Sequence, residues 1–164
     1  MDLYPWIVLG HIIGAFMFAM SHGVAAWASL QLDKEHDPNR IRALLELMST
    51  SLTGVYVGLL ILLIGGIWAG IIGGHFGRLW IWASLVLLVA IAIAMYLIAT
   101  RYYGELRTAV GMRTMQTPKG APDPVPVGQA DLDAVLARNP SAALAGVGFV
   151  GLALILYLMV LKPF

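Results

Sequence analysis

The chain has 164 residues, of which 60% are hydrophobic and 12% are charged, and its mean hydropathy is +0.84. A soluble domain is about 45–50% apolar and about 25% charged, so this composition excludes an ordinary soluble protein. The net charge of +1 offers no basic surface for nucleic acid, and the lack of cysteine excludes disulfides, thiolate chemistry and iron–sulfur clusters.

Four apolar stretches are long enough to cross a bilayer, which takes about 20 helical residues. They are predicted at residues 5–32, 47–72, 79–100 and 141–161, and none contains Asp, Glu, Lys or Arg. Transporters and ion channels normally carry such residues inside the membrane, so these functions are disfavoured. The chain is expected to be one all-α membrane domain, a polytopic four-helix transmembrane bundle over residues 1–164 that is surrounded by the lipid bilayer.

The distribution of Lys and Arg predicts the orientation of this bundle. Segment 33–42 carries three such residues and segment 101–140 carries five, whereas the short turn 73–78 carries only Arg78. Basic loops stay in the cytoplasm. Both basic segments are therefore expected there, with N-out and C-out topology in a bacterial inner membrane.

Two spans are expected to continue beyond the bilayer. Asp37 is a suitable N-cap and Pro38 a suitable first helical residue, so a helix from Pro38 to Ile72 is predicted. At about 1.5 Å per residue this helix would be about 50 Å long, against a hydrocarbon core of about 30 Å. The third span is expected to continue past Arg101 toward Met115.

The long polar segment before the fourth span divides into two parts. Residues 117–128 contain four prolines and two glycines, which favours an extended linker. Residues 129–139 place Leu132, Val135 and Leu136 on one face, and they could form a short helix on the membrane surface. Asn139 is the expected cap of the fourth span.

Small residues spaced four apart predict how the spans associate, because helices in lipid pack through close backbone contact. The pattern occurs in spans one, two and four, which are expected to approach closely. An alternative is that the glycines leave room for a flat cofactor or form a dimer face. The motifs are Gly10/Gly14, Gly54/Gly58, Gly66/Gly70, Gly70/Gly74, Ala142/Gly146 and the pair Gly148/Gly151.

Two histidines, His11 and His22, lie inside the first span, where an ionisable residue is a functional candidate. Eleven residues at about 100° each place them on nearly the same face, about 16 Å apart along the axis. Neutral imidazole is an iron ligand, so one helix could present ligands to haem b. Alternatively, His22 could bond to a carbonyl or to a hydroxyl of Ser21, Ser49 or Thr53.

A bis-histidine haem needs a second ligand, and spans two to four contain no histidine. His75, in the external turn, could meet His11 only if that turn folds inward, and Arg78 could contact a haem propionate. Methionine could serve instead, from Met48, Met95 or Met159. A separate hypothesis places Cu(I) among Met17, Met20 and His22, because thioethers and imidazole suit that ion.

The opening WIVLGHIIGAFMF, residues 6–18, resembles the start of small four-span bacterial membrane families. These are the copper-resistance CopD-like proteins and the HemJ-like protoporphyrinogen oxidases, and the latter bind a b-type haem through the first-span histidine. Only His11 carries over. The resemblance implies haem binding, but the lysine that HemJ-like proteins carry in a later span is absent here, which argues against the oxidase activity.

Two functional hypotheses follow. The first is a small membrane protein that binds haem b through His11, with His22, His75 and Arg78 as further cofactor-binding or metal-ligating candidates, and that serves electron transfer or haem handling. The second is a non-catalytic accessory or scaffolding subunit of a respiratory or photosynthetic membrane complex, or a homo-oligomer, whose partners are other membrane helices.

Overall fold

The computed structural model describes residues 2–164, and the chain in this range is all-α. Four helices are long and apolar enough to cross a membrane. The remaining α-helix, between the third and fourth of these, has only eight residues. A 3₁₀ turn occupies His75–Gly77. The helices are α1 (Tyr4–Leu32), α2 (Pro38–Ile72), α3 (Leu79–Ala109), α4 (Gln129–Leu136) and α5 (Ser141–Leu161).

The predicted long second helix is confirmed, with its predicted start. The Asp37 side chain accepts a hydrogen bond from the Asn39 amide at 2.8 Å, and Pro38 is the first helical residue. The third helix continues past Arg101, as predicted, but it ends at Ala109, before Met115. Gly111 adopts φ +78°, and the Met112 amide donates to the Arg107 carbonyl at 2.8 Å, so a left-handed glycine terminates the helix.

Helices α1 and α2 form the closest pair in the molecule. A methyl carbon built at Gly14 would lie 2.5 Å from the Leu62 amide nitrogen, and one built at Gly58 would collide with the Phe18 backbone. Only glycine lets the two backbones approach this closely. The predicted association of spans one and two is therefore confirmed.

The fourth span packs differently from the expectation. Its main partner is α3, where the Ile91 side chain occupies the space above Gly151, and it touches α1 less extensively. We call the contact between the α1/α2 pair and the α3/α5 pair the seam. Ala142-x-x-x-Gly146 does not mark a contact, because a methyl carbon at Gly146 would meet nothing within 4 Å.

A buried core lies at one end of the molecule, which we call the polar end because the loops 33–37 and 110–140 lie there. The opposite end, with residues 73–78 and both termini, is the turn end. The polar-end core joins α1, α2, α3 and α4. Its members are Leu32, Ile41, Leu45, Tyr102, Leu106, Ala109, Val110, Leu132 and Leu136.

Arginine side chains tie α2 to the end of α3 at the polar end. Arg42 donates from Nε to the Val110 carbonyl at 2.6 Å. Arg107 donates to the Leu45 carbonyl at 2.9 Å and also to the Ser49 hydroxyl. These charged donors join the two helices at the polar end, so the extensions beyond the apolar spans form folded structure instead of isolated helix ends.

Helix α4 is confirmed, but it does not lie free on the membrane surface. Leu132 and Leu136 are buried in the polar-end core. The Asp133 carboxylate pairs with Nδ1 of His36 at 3.0 Å and accepts from Gln129 at 3.0 Å. The hydrogen bond from His36 is the main reason that the pKa of Asp133 lies below its usual value. This pair holds α4 against the loop between α1 and α2.

The two glycines of the first motif predict different mutational effects. Gly14→Ala should lower the free energy of unfolding by about 1–3 kcal/mol, because the added methyl group collides with the Leu62 backbone. Gly10→Ala is the matched control, since nothing lies within 4 Å of its methyl position. Reversible unfolding in mixed micelles, followed by circular dichroism, measures both. Equal stability of the two variants would contradict the proposed backbone contact.

The contact between Asp133 and His36 should depend on pH. Because the pKa of Asp133 is lowered in the folded state, its contribution is complete above about pH 4 and is lost as the pH falls through the lowered pKa. Amide NMR signals of residues 129–136 should stay unchanged from pH 6 to about pH 4 and shift below that. In Asp133→Ala they should already be shifted at pH 6. Identical spectra for the variant and the wild type would refute this role.

Candidate functional site

The first intramembrane histidine, His11, contacts α2. Its Nδ1 donates to the Leu62 carbonyl at 2.7 Å, in the tautomer that carries the proton on Nδ1. The ring lies over Gly66, where a built methyl carbon would approach Nδ1 and Cε1 to 2.9 Å, and Gly65 lies against the His11 backbone. The glycines of α2 therefore make room for an imidazole that connects the two helices. Nε2 has no hydrogen-bond partner among residues 2–164.

The second histidine, His22, lies at the seam and contacts α5 instead of α2. Its ring stacks on Phe18, with centroids 5.6 Å apart and planes 3° apart. A methyl carbon built at Gly148 would lie 3.2 Å from Nε2. Within residues 2–164 neither ring nitrogen forms a hydrogen bond, whether with a carbonyl or with Ser21, Ser49 or Thr53; Ser49, for example, donates to its own helix. The imidazole is therefore partly enclosed without a polar partner.

Met95 of α3 reaches the same point. A methyl carbon built at Gly148 would lie 3.6 Å from the terminal methyl carbon of Met95. Gly148 is also the residue that Nε2 of His22 faces. The imidazole of His22 and the terminal methyl group of Met95 thus both face Gly148 of α5. Of the methionines that the sequence offered as second ligands, Met95 is the one that the described contacts bring to an intramembrane histidine.

The remaining candidates at the turn end are engaged elsewhere or exposed. Nε2 of His75 lies 3.3 Å from the Tyr4 hydroxyl, and its ring packs at a tilt against Trp80 at 5.8 Å. Arg78 precedes α3 and is exposed. Tyr4 is about two helical turns before His11, or about 10 Å along α1, so these contacts do not bring His75 to His11.

The described residues also bear on the metal hypotheses. No group of three or more His, Asp or Glu side chains suitable for a metal ion occurs in the chain from residue 2 onward. Met20 is 70% exposed on the outside of α1, away from the seam. Met20 is therefore not close to the seam contact that His22 and Met95 share at Gly148.

The sequence pointed to His22 and named Met95 as one of three possible ligands, but it could not join them. The helix pairing that places α3 and α5 beside α1 is needed first. The available signal was the Gly148/Gly151 pair, because a glycine facing a histidine leaves space for its ring. Gly148 does face the imidazole of His22, whereas Gly151 accommodates Ile91.

Comparisons with known proteins give no further constraint, since no protein-family model, curated protein or solved structure matches this chain.

The hydrogen bond of His11 should contribute to stability. His11→Leu removes the donor to the Leu62 carbonyl, and interhelical hydrogen bonds in membranes contribute about 0.6 kcal/mol on average and up to about 1.7 kcal/mol. The free energy of unfolding in mixed micelles should fall by about that amount. Met20→Leu, an exposed change on the same helix, is the control. If both variants unfold like the wild type, the bond has no stabilising role.

Proposed function

We propose that this chain is a multi-pass protein of the bacterial inner membrane that binds a b-type haem at the seam and serves electron transfer or haem handling. The observation that carries the proposal is the convergence of His22 and Met95 at Gly148. A histidine without a hydrogen-bond partner is costly in an apolar span and is a functional candidate by default. The Met95 side chain approaches the same glycine, and histidine with methionine is a known pair of haem ligands.

The donor set fits haem iron, whereas the packing of the seam is tight. Phe18 stacks on the His22 ring, and Gly148 lies close to Nε2. A porphyrin would be accommodated only if α1 and α5 separated. Their contact is limited compared with that of α1 and α2, so separating α1 from α5 would cost less packing than separating α1 from α2. A bound haem would supply one-electron transfer, and His22 and Met95 would hold it from the two helix pairs.

In this proposal His11 is a structural residue of the α1/α2 contact. Its bond to Leu62 adds to the backbone contacts at Gly14 and Gly58, which hold the two helices together. The free Nε2 of His11 also leaves it competent as a ligand, since an imidazole whose Nδ1 is bonded to a carbonyl presents Nε2 to a metal. The experiment below therefore separates the two histidines.

The charge distribution supports N-out and C-out topology. Eight of the ten Lys and Arg residues belong to the polar end, and the other two, Arg78 and Lys162, lie at the turn end. Positive charge is retained on the cytoplasmic side, so the polar end is proposed to face the cytoplasm.

The polar-end core favours a second candidate function, an accessory subunit of a larger membrane complex. Buried side chains from four helices give this end a defined surface. The hydrogen bonds of Arg42 and Arg107 to backbone carbonyls stabilise it. A defined surface outside the membrane is suited to binding a partner protein. In that case the unpaired His22 would be a packing residue.

An absorption spectrum distinguishes these functions. The full chain, purified in detergent from haem-replete cells, should show a Soret band that shifts on reduction with dithionite. His22→Ala should abolish the band, whereas His11→Ala, a matched change on the same helix, should keep it. Met95→Leu should retain haem with a lower midpoint potential, because ligation by methionine would raise that potential.

Two results would overturn parts of this proposal. A colourless wild-type protein would refute haem binding and favour the accessory function. Loss of the band in His11→Ala but not in His22→Ala would transfer the ligand role to His11. Monodisperse elution of each variant in gel filtration shows that loss of colour does not come from unfolding.

A further inference from the structure

A groove of about 620 Å³ runs along one face of α3 toward the polar end. The α3 residues that line it recur every four positions, so they follow a single stripe of the helix. Val127 and Val135, from the linker and α4, line the groove as well. The α3 residues include Tyr96, Leu97, Arg101, Gly104 and Glu105.

The groove crosses from apolar to charged surroundings. Tyr96 and Leu97 are 67% and 68% exposed and belong to the apolar part of α3. Arg101 follows 22 residues after Leu79, which is about 33 Å along the helix. A hydrocarbon core is about 30 Å thick, so Arg101 lies at the level of the lipid headgroups while Leu97 remains beside the acyl chains.

The charged cluster at the polar end of the groove carries a net positive charge when Arg138 is counted, which pairs with Glu105 beside the groove and is not part of its lining. Glu105 pairs with Arg101 at 3.3 Å and with Arg138 at 3.3 Å, so two guanidinium groups surround one carboxylate. The Arg101 side chain is 87% exposed, and its remaining N–H groups are free to bind an anion. Arginine recognises phosphate oxygens through paired hydrogen bonds.

We propose that this groove binds an acidic phospholipid of the leaflet on the polar side. Its phosphate contacts Arg101 and Arg138, and an acyl chain lies along Leu97 and Tyr96. Charge complementarity and the position of the groove across the interface identify the occupant. A soluble phosphate would make no contact with the apolar part of the groove. A lipid without net charge would gain little from the excess positive charge of the arginines. This inference is independent of haem binding.

Gly104 provides a direct test because it forms part of the groove floor. A methyl carbon built there meets nothing within 4 Å, so Gly104→Leu should fill the groove without disturbing the fold. Arg101→Gln removes the exposed charge. Lys119→Gln is the matched control, since it makes the same charge change in the exposed linker outside the groove.

Binding is measured by native mass spectrometry of the delipidated full chain, titrated in detergent with phosphatidylglycerol or phosphatidylcholine. Wild type and Lys119→Gln should bind one phosphatidylglycerol molecule more tightly than phosphatidylcholine. Arg101→Gln should bind it about fivefold more weakly, as expected for one arginine at a membrane surface. Gly104→Leu should weaken the binding of both lipids.

Three outcomes would overturn the proposal. One is equal affinity of the wild type for the two lipids. Another is an equal loss of affinity in Arg101→Gln and Lys119→Gln, which would reflect general surface charge. The third is unchanged lipid binding by a Gly104→Leu variant that elutes as a monodisperse species, because the lipid would then lie outside the groove.

Discussion

The close approach of α1 and α2 is the constraint on which the rest of the membrane region depends. In lipid, apolar side chains gain nothing from leaving water, so helices associate through contact area and hydrogen bonds. Gly14 and Gly58 bring the two backbones into contact, and His11 adds a bond to the Leu62 carbonyl. With one side of α1 occupied in this way, α5 can reach α1 only along the remaining side. That side contains His22, so the position of the seam follows from the first pair.

The two helix pairs are joined more firmly at the polar end than within the membrane. There Asp33 accepts from Asn139 at 2.7 Å and from the Ser141 hydroxyl at 2.6 Å, which fixes the end of α1 to the start of α5. The arginine bonds between α2 and α3 act in the same region. Toward the middle of the seam the contacts are between side chains and glycine, without hydrogen bonds from His22. Hydrogen bonds thus fix the polar end, whereas the contact of His22 with Gly148 has none from the imidazole.

The sequence predicted the positions of the helices better than it predicted which helices pack against each other, and the reason is physical. Spans and caps depend on local chemistry, as the start of α2 at Asp37 and Pro38 shows. The end of α3 was placed too far along the chain because a left-handed Gly111 stops the helix. The motif of Gly10 and Gly14 could not distinguish its two members, since only Gly14 faces α2. Which face meets which helix depends on long-range packing, and periodicity carries no information about it.

The same limit applied to the candidate site, and the energetics of the two histidines now separate them. His11 has a hydrogen bond, so its presence in the membrane is accounted for by a structural contact. His22 has none within the described chain, and its half-buried imidazole lies in an apolar span, where an unpaired polar group is unfavourable. Stacking on Phe18 offsets only part of this cost, because it leaves both ring nitrogens without a partner. A metal that accepts the Nε2 lone pair would remove the cost at that nitrogen and would use the thioether of Met95 at the same place. This balance is why the proposed cofactor site lies at the seam instead of at His11.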